Sequence, residues 1–252
     1  MLSARQIVKG PAIVPVPTGA PAIGDGVADL HFDGRWQTGE GPAMAIFERT
    51  SSERLATLRL ASREQLAAAL ASAERFSPGD ADRAAMAERL ERAASRIEGD
   101  VAQLVDVMQG ETGASPYETV REIHLALQML RRVALRLRHA QDTLGTENID
   151  FDDVAAICAD SRPLLVMTGA RAEDIVATIL PAWLSGRAAI VRSSLEAPLT
   201  TGLLYRHLVS ASAGGPQLSL LHLDYALTEE VIASGRVRTL LSWLVPPAAH
   251  HV

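Results

Sequence analysis

Apolar residues recur three and four positions apart through the first half of the chain, at Leu66, Leu70 and Ala73 and again at Met86, Leu90, Ala93 and Ile97. That spacing gives a helix one buried face. It predicts helices over 63–76, 82–97, 101–111 and 115–138, separated by the turn Ser77-Pro78-Gly79-Asp80 and by a break over 110–116. In the longest of them Val120, Ile123, Leu127, Leu130, Ala134 and Leu137 share one side, with Arg131, Arg132, Arg136 and Arg138 around the rest. Cations near a helix C-terminus complement its dipole, so this arginine cluster reads as a solvated face.

The period then changes. Leu164 to Met167 is a short continuous apolar run ending in Thr168-Gly169, which predicts a buried strand and its turn. Residues 172–185 read as a helix closed by Gly186, and 188–194 as a second buried strand. A strand, a helix and a second strand in this order make an α/β pattern. Farther on, Thr228 followed by Glu229 and Glu230 has the form of an N-cap with first-turn carboxylates.

Two segments stand apart. Residues 1–28 carry Pro11, Pro15, Pro17 and Pro21 among Gly10, Gly19, Gly24 and Gly26, a density that excludes helix interiors and central strands and predicts an extended arm or disordered leader. Residues 146–160 form a bridge in which Val154, Ala155, Ala156, Ile157 and Cys158 follow an acidic stretch. An uncharged run of this kind is a template for another chain's strand, which makes these five residues the candidate interaction site.

Composition narrows the class. A chain of 252 residues, 48% hydrophobic and 21% charged, can bury a core without disulfides or metal. Its net charge of −6 argues against a nucleic-acid surface. The single Cys158 permits no internal disulfide and has no neighbouring base to activate it, so it reads as a small apolar strand residue. No basic-then-apolar leader opens the chain, which implies a cytoplasmic protein, and the near absence of lysine fits a GC-rich bacterial genome. His250-His251 lacks the spacing that puts metal ligands on one face. Ser193-Ser194 has no identifiable histidine partner in the sequence and is not read as a nucleophile.

The segment 179–194, with its helix end Ala182-Trp183-Leu184-Ser185-Gly186 and strand Ile190-Val191-Arg192-Ser193-Ser194, resembles the cofactor-domain signature of aldehyde dehydrogenases. In that family a helix ending Ala-Leu-x-x-Gly-Asn runs into a Val-Val-Leu-Lys-Pro-Ser-Glu strand. Phe32-Asp33-Gly34-Arg35-Trp36, the two-strand unit over 45–60 and Glu111-Thr112-Gly113 are similar to other family features, 200–211 resembles the family's next helix and 217–223 and 237–241 its third and fourth strands, and the likeness extends over about 30–244. A looser similarity of the 186–194 segment is to acyl-CoA reductases.

The resemblance implies a Rossmann-type cofactor domain over 29–252, with an N-terminal helical block and bridging strands at 146–160, and with the catalytic domain that carries the family's thiol and general base absent. Gly169 falls where the family has an oxyanion-donating Asn. Arg192 falls on the Lys that meets the adenosine ribose, Leu195 on the Glu that accepts from its hydroxyls, and Ser194 keeps its place beside them. Gly169, Arg192 and Ser194 are therefore expected as a vestigial cofactor site, and Trp243 replaces an open glycine turn. The expected role is a non-catalytic accessory or interaction subunit without cofactor, oligomeric or bound to an active dehydrogenase or another enzyme of the pathway, and free of nucleic acid and membrane. The alternative is the NAD(P)-binding half of a split aldehyde dehydrogenase or acyl-CoA reductase.

Overall fold

The computed structural model describes residues 29–77, 83–139, 160–211 and 218–241. The chain opens with a hairpin, β1 (Leu30–Phe32) and β2 (Arg35–Gln37), whose two-residue turn places Asp33 and Gly34 at φ +53° and +72°. Two left-handed residues in succession match the twist of the flanking strands. A second hairpin, β3 (Ala43–Phe47) and β4 (Arg54–Arg59), stands as its own two-stranded sheet.

The helical block follows as α1 (Arg63–Arg75), α2 (Arg83–Gly99), α3 (Val101–Thr112) and α4 (Pro116–His139). The Ser62-x-x-Gln65 spacing closes a capping box on α1, with the Ser62 hydroxyl accepting from the Gln65 amide and the Gln65 side chain accepting from the Ser62 amide. In α4 the buried face is Ile123, Ala126, Leu127, Leu130, Val133 and Ala134. Val120, expected on that face, is exposed in the second turn. Arg131 and Arg138 lie on the solvated side and pair with Glu98 and Glu91 of α2, at 2.5 and 3.7 Å. Exposed pairs of this kind contribute little energy but fix the chemistry of the face.

The α/β part runs β5 (Leu164–Met167), α5 (Ala172–Leu184), β6 (Ala189–Arg192), α6 (Pro198–Ala211), β7 (Leu218–Leu221), α7 (Tyr225–Ala233) and β8 (Arg238–Leu241). Gly186, at φ +67°, ends α5 as the sequence predicts, its amide reaching the Trp183 carbonyl. The N-cap of α7 differs from expectation. Asp224 caps it, accepting from the Leu227 amide at 2.7 Å, while Thr228 lies inside the helix with its hydroxyl bonded back to the Asp224 carbonyl. Thr228 and Asp224 are both suitable caps, and the later start would forfeit the turn that carries Leu227, packed against the smaller core, and the buried Thr228.

One six-stranded sheet joins these strands in the order β2-β1-β7-β6-β5-β8, with β7, β6, β5 and β8 parallel and β1 antiparallel to β7. Side chains alternate between its two faces. Leu164, Val166, Ala189, Val191, Leu218 and Leu220 enter the larger core with α2 to α6, whereas Leu165, Ile190 and Leu221 join Leu30 and Phe32 under α1 and α7. Central strands buried on both faces explain why β5 and β6 read as unbroken apolar runs.

Candidate functional site

The parallel strands are linked so that β5, β6 and β7 step one way across the sheet and β8 returns to the far side of β5. In open α/β sheets a ligand crevice forms at such a reversal, outside the carboxyl ends of the strands. Three chain segments meet at that edge: 168–171 after β5, 192–196 closing β6, and 222–225 between β7 and α7.

Local hydrogen bonds make this edge rigid. Thr168 donates from its amide and hydroxyl to the Arg192 carbonyl, at 3.1 and 3.2 Å, and its Oγ1 accepts from the Ser194 amide at 3.1 Å. Ser193 donates its amide to the Leu221 carbonyl. Its Oγ lies 2.6 Å from His222 Nδ1, with both residues wholly buried. Ser193 thus does have a histidine partner, one that the sequence conceals 29 positions away. Burial drives the His222 pKa down to about 4, against a smaller opposing pull from the Asp29 backbone, so the ring is neutral at ordinary pH. A neutral, solvent-sealed pair cannot reach a substrate, and it serves to tie the ends of β6 and β7 together.

The sequence-predicted residues Gly169, Arg192 and Ser194 do come together here, in three different settings. Ser194 is buried, and its Oγ accepts from the Glu196 amide at 3.2 Å in a local turn. Gly169 sits against Asp174 of α5: a Cβ added to it would lie 3.0 Å from Asp174 Cβ and 3.1 Å from Oδ2. Asp174 is itself buried, with Oδ1 unpartnered, and desolvation raises its pKa. Arg192 is 6% exposed. Its Nε and Nη2 have no hydrogen-bond partner among the described residues, and its Cζ lies 5.5 Å from the centre of the Tyr225 ring. Desolvation lowers its pKa, partly offset by Tyr225.

Beside the crevice lies a cavity of about 180 Å³ between the end of α3, α4 and the turn after β5. Its walls are charged, and Arg171 on its rim is tied to Glu122 at 3.0 Å and Glu173 at 2.5 Å. Glu111 on its inner wall is engaged too, accepting from the amides of Leu199 and Thr200 and from the Thr200 hydroxyl. Burial raises its pKa to about 7, the three donors pulling the other way. Sequence reasoning noted Glu111-Thr112-Gly113 without finding this bond. The available signal was Ala197, an N-cap residue with no acceptor of its own, just before α6.

The candidate interaction residues Val154, Ala155, Ala156, Ile157 and Cys158 lie outside the described residues, as does Trp243. Among the described residues no group of His, Cys, Asp or Glu can hold a metal ion, and no helix is long and apolar enough to cross a membrane.

A parallel sheet covered on both faces by helices, with its crevice at a strand reversal, defines a Rossmann-type nucleotide-domain fold. The sequence profile of the aldehyde dehydrogenase family matches residues 36–222, and the chain belongs to that family. Among solved structures it is similar to the Δ-pyrroline-5-carboxylate dehydrogenase of Mycobacterium tuberculosis, at 18% identity and a TM-score of 0.67, over 94% of this chain and 48% of that one. A betaine aldehyde dehydrogenase of Staphylococcus aureus, solved with NAD+, gives 14% identity and a TM-score of 0.68, over 85% and 50%. An NAD-dependent benzaldehyde dehydrogenase of Corynebacterium glutamicum gives 15% and 0.65, over 79% and 46%. The chain thus spans about half the length of these structures. Among curated proteins none matches it.

The family implies a nicotinamide dinucleotide at this edge, and the residues present fit it poorly. Arg192 keeps unanswered donors suited to an oxyanion or hydroxyl. Leu195, half-buried against the core, offers no acceptor to a ribose diol, and the space beyond Gly169 is taken by Asp174.

Proposed function

We propose that this chain is a non-catalytic member of the aldehyde dehydrogenase family, acting as an accessory or interaction subunit in contact with another protein. The observation that carries this reading is the crevice itself. An oxyanion-donating amide cannot be seated at Gly169 without displacing Asp174, and Leu195 leaves the ribose position without an acceptor. Losing a hydrogen bond inside a closed site costs about 1–3 kcal/mol for each group left unpaired, enough to weaken a micromolar ligand to millimolar when two are lost.

The partner fits an active dehydrogenase or another enzyme of the same pathway, with 154–158 as the candidate contact. Calorimetry with NAD and NADP is expected to give no isotherm at sub-millimolar ligand, and a broad aldehyde panel no NADH. Light scattering is expected to give an oligomeric or partner-bound mass that Ile157→Asp reduces. A micromolar NAD isotherm, or a strictly monomeric wild type that recovers no partner from its host, removes the proposal.

A second reading, the NAD(P)-binding half of a split dehydrogenase or acyl-CoA reductase, is favoured by the free donors of Arg192. The same isotherm separates the two.

A further inference from the structure

α3 runs antiparallel to α6 and is fastened to it at both ends. Between the ends the contact is apolar, with Leu104 and Met108 in one core with Leu203, Leu204 and Leu208, and such a contact does not respond to protons. The ends are different. At the last turn of α3, Glu111, 4% exposed, accepts from the amides of Leu199 and Thr200 and from the Thr200 hydroxyl. At its first turn Asp100 stands in the N-cap position without capping: at φ −112° and ψ 18° its side chain makes no bond to the helix. Its Oδ2 lies instead 3.4 Å from Nε2 of His207 on α6, a residue 9% exposed.

Charge on a buried side chain is costly, so each of these groups favours its neutral form while its end of the helix is shut. For Glu111 the neutral form is the protonated one, and burial raises its pKa to about 7 over the opposing pull of its three donors. The charges that share its cavity are of both signs, Arg49 and Arg171 against Glu122 and Glu196. For His207 the neutral form is the unprotonated one. Burial lowers its pKa below the ordinary 6.5, Asp100 at the helix corner pulls it up, and Arg96 of α2 and Arg206 of α6 push it down. Opening an end returns its group to water and to its ordinary pKa, so acid shuts the Glu111 end and loosens the His207 end.

We infer that α3 is a proton-responsive clasp on α6, held more firmly at its Asp100 end in alkaline solution and at its Glu111 end in acid. α6 begins directly after 192–196, the segment that closes β6, so the Glu111 end sets how firmly that edge of the crevice is fixed. The device does not depend on what the crevice binds.

The test is amide hydrogen exchange of the full chain from about pH 8 to about pH 5, with protection corrected for the intrinsic rate at each pH. As pH falls, protection of the Leu199 and Thr200 amides, which Glu111 accepts, is expected to rise about threefold or more, and that of the Leu104 amide, bonded to the Asp100 carbonyl, to fall about threefold or more. Opposite movement is the signature, because a change in global stability moves both ends the same way. Glu111→Gln is expected to abolish the first trend and keep the second, and His207→Gln to do the reverse. His207→Gln keeps the test open if Glu111→Gln does not fold, since it removes a titrating group without touching the Glu111 bonds. The inference is overturned if both ends move together, if either end is flat in the wild type, or if a trend survives the variant that removes its titrating group.

Discussion

Glu111 Oε2 accepts both the amide and the hydroxyl of Thr200, at 2.8 and 2.7 Å, across 89 positions of sequence. Its other oxygen accepts from Leu199 at 2.7 Å, so the last turn of α3 caps α6 in place of the N-cap residue Ala197. Removing that carboxylate strands three buried donors. Glu111→Ala is expected to destabilise the chain by about 2–4 kcal/mol, read from the urea midpoint at constant m, and Glu111→Gln by less because one amide oxygen still accepts.

The same residue sets a pH dependence with an unusual sign. Burial holds the folded Glu111 pKa at about 7, above the ordinary 4.5. Between those values the folded chain binds the proton that the unfolded chain releases, so this group's contribution becomes more favourable as pH falls from about 7 to about 4.5. The difference in melting temperature between wild type and Glu111→Gln should therefore move in favour of wild type across that window. A difference independent of pH would mean that Glu111 does not titrate there.

His222 has the opposite sign. Its folded pKa is about 4, below the ordinary 6.5, so stability present above 6.5 is lost as pH falls toward 4 and the unfolded chain takes the proton. Ser193→Ala leaves Nδ1 unpaired and is expected to cost about 1–3 kcal/mol at neutral pH. It should leave the acid window in place, because burial and not the serine hydroxyl lowers the pKa. Acid melts of both proteins, run in parallel, check the two statements separately.

Gly169 and Asp174 should behave as a coupled pair. A methyl at 169 enters at 3.0 Å from Asp174 Cβ, so Gly169→Ala is expected to cost about 1–3 kcal/mol, and Gly169→Asn more. Asp174→Ala keeps the Cβ at 3.0 Å but removes the carboxylate at 3.1 Å and a buried unpartnered oxygen, and should relieve part of the cost of Gly169→Ala. A double-mutant cycle with no coupling energy would contradict the crowding.

His31 Nδ1 lies 2.8 Å from the hydroxyl of the fully buried Tyr205, and Trp36 packs edge-on against the same tyrosine, 6.0 Å between centres. This contact fastens the β1–β2 hairpin to α6. Tyr205→Phe is expected to cost about 1 kcal/mol, or roughly 2–4 °C in melting temperature, without altering the helical signal in circular dichroism.

The sequence by itself determined the elements and the family. Helical spacing at Met86, Leu90, Ala93 and Ile97, unbroken apolar runs at 164–167 and 188–191, Gly186 at a helix end and Asp33-Gly34 in a hairpin are local signals, because a helix or strand face repeats within a few residues and a turn is set by the backbone freedom of one or two. What tertiary structure alone decided is which distant groups share a buried space. That β1 adds antiparallel beside β7, that Glu111 caps α6, that Ser193 meets His222, that Asp174 fills the space at Gly169 and that Arg192 is enclosed under Tyr225 with Nε and Nη2 unpartnered are consequences of packing. In each case one residue's chemistry is answered or denied by another far along the chain, and local periodicity carries no record of that neighbour. Even Thr228 and Asp224, equal as caps by residue type, are distinguished only by the packing of the turn between them, where Leu227 meets the smaller core.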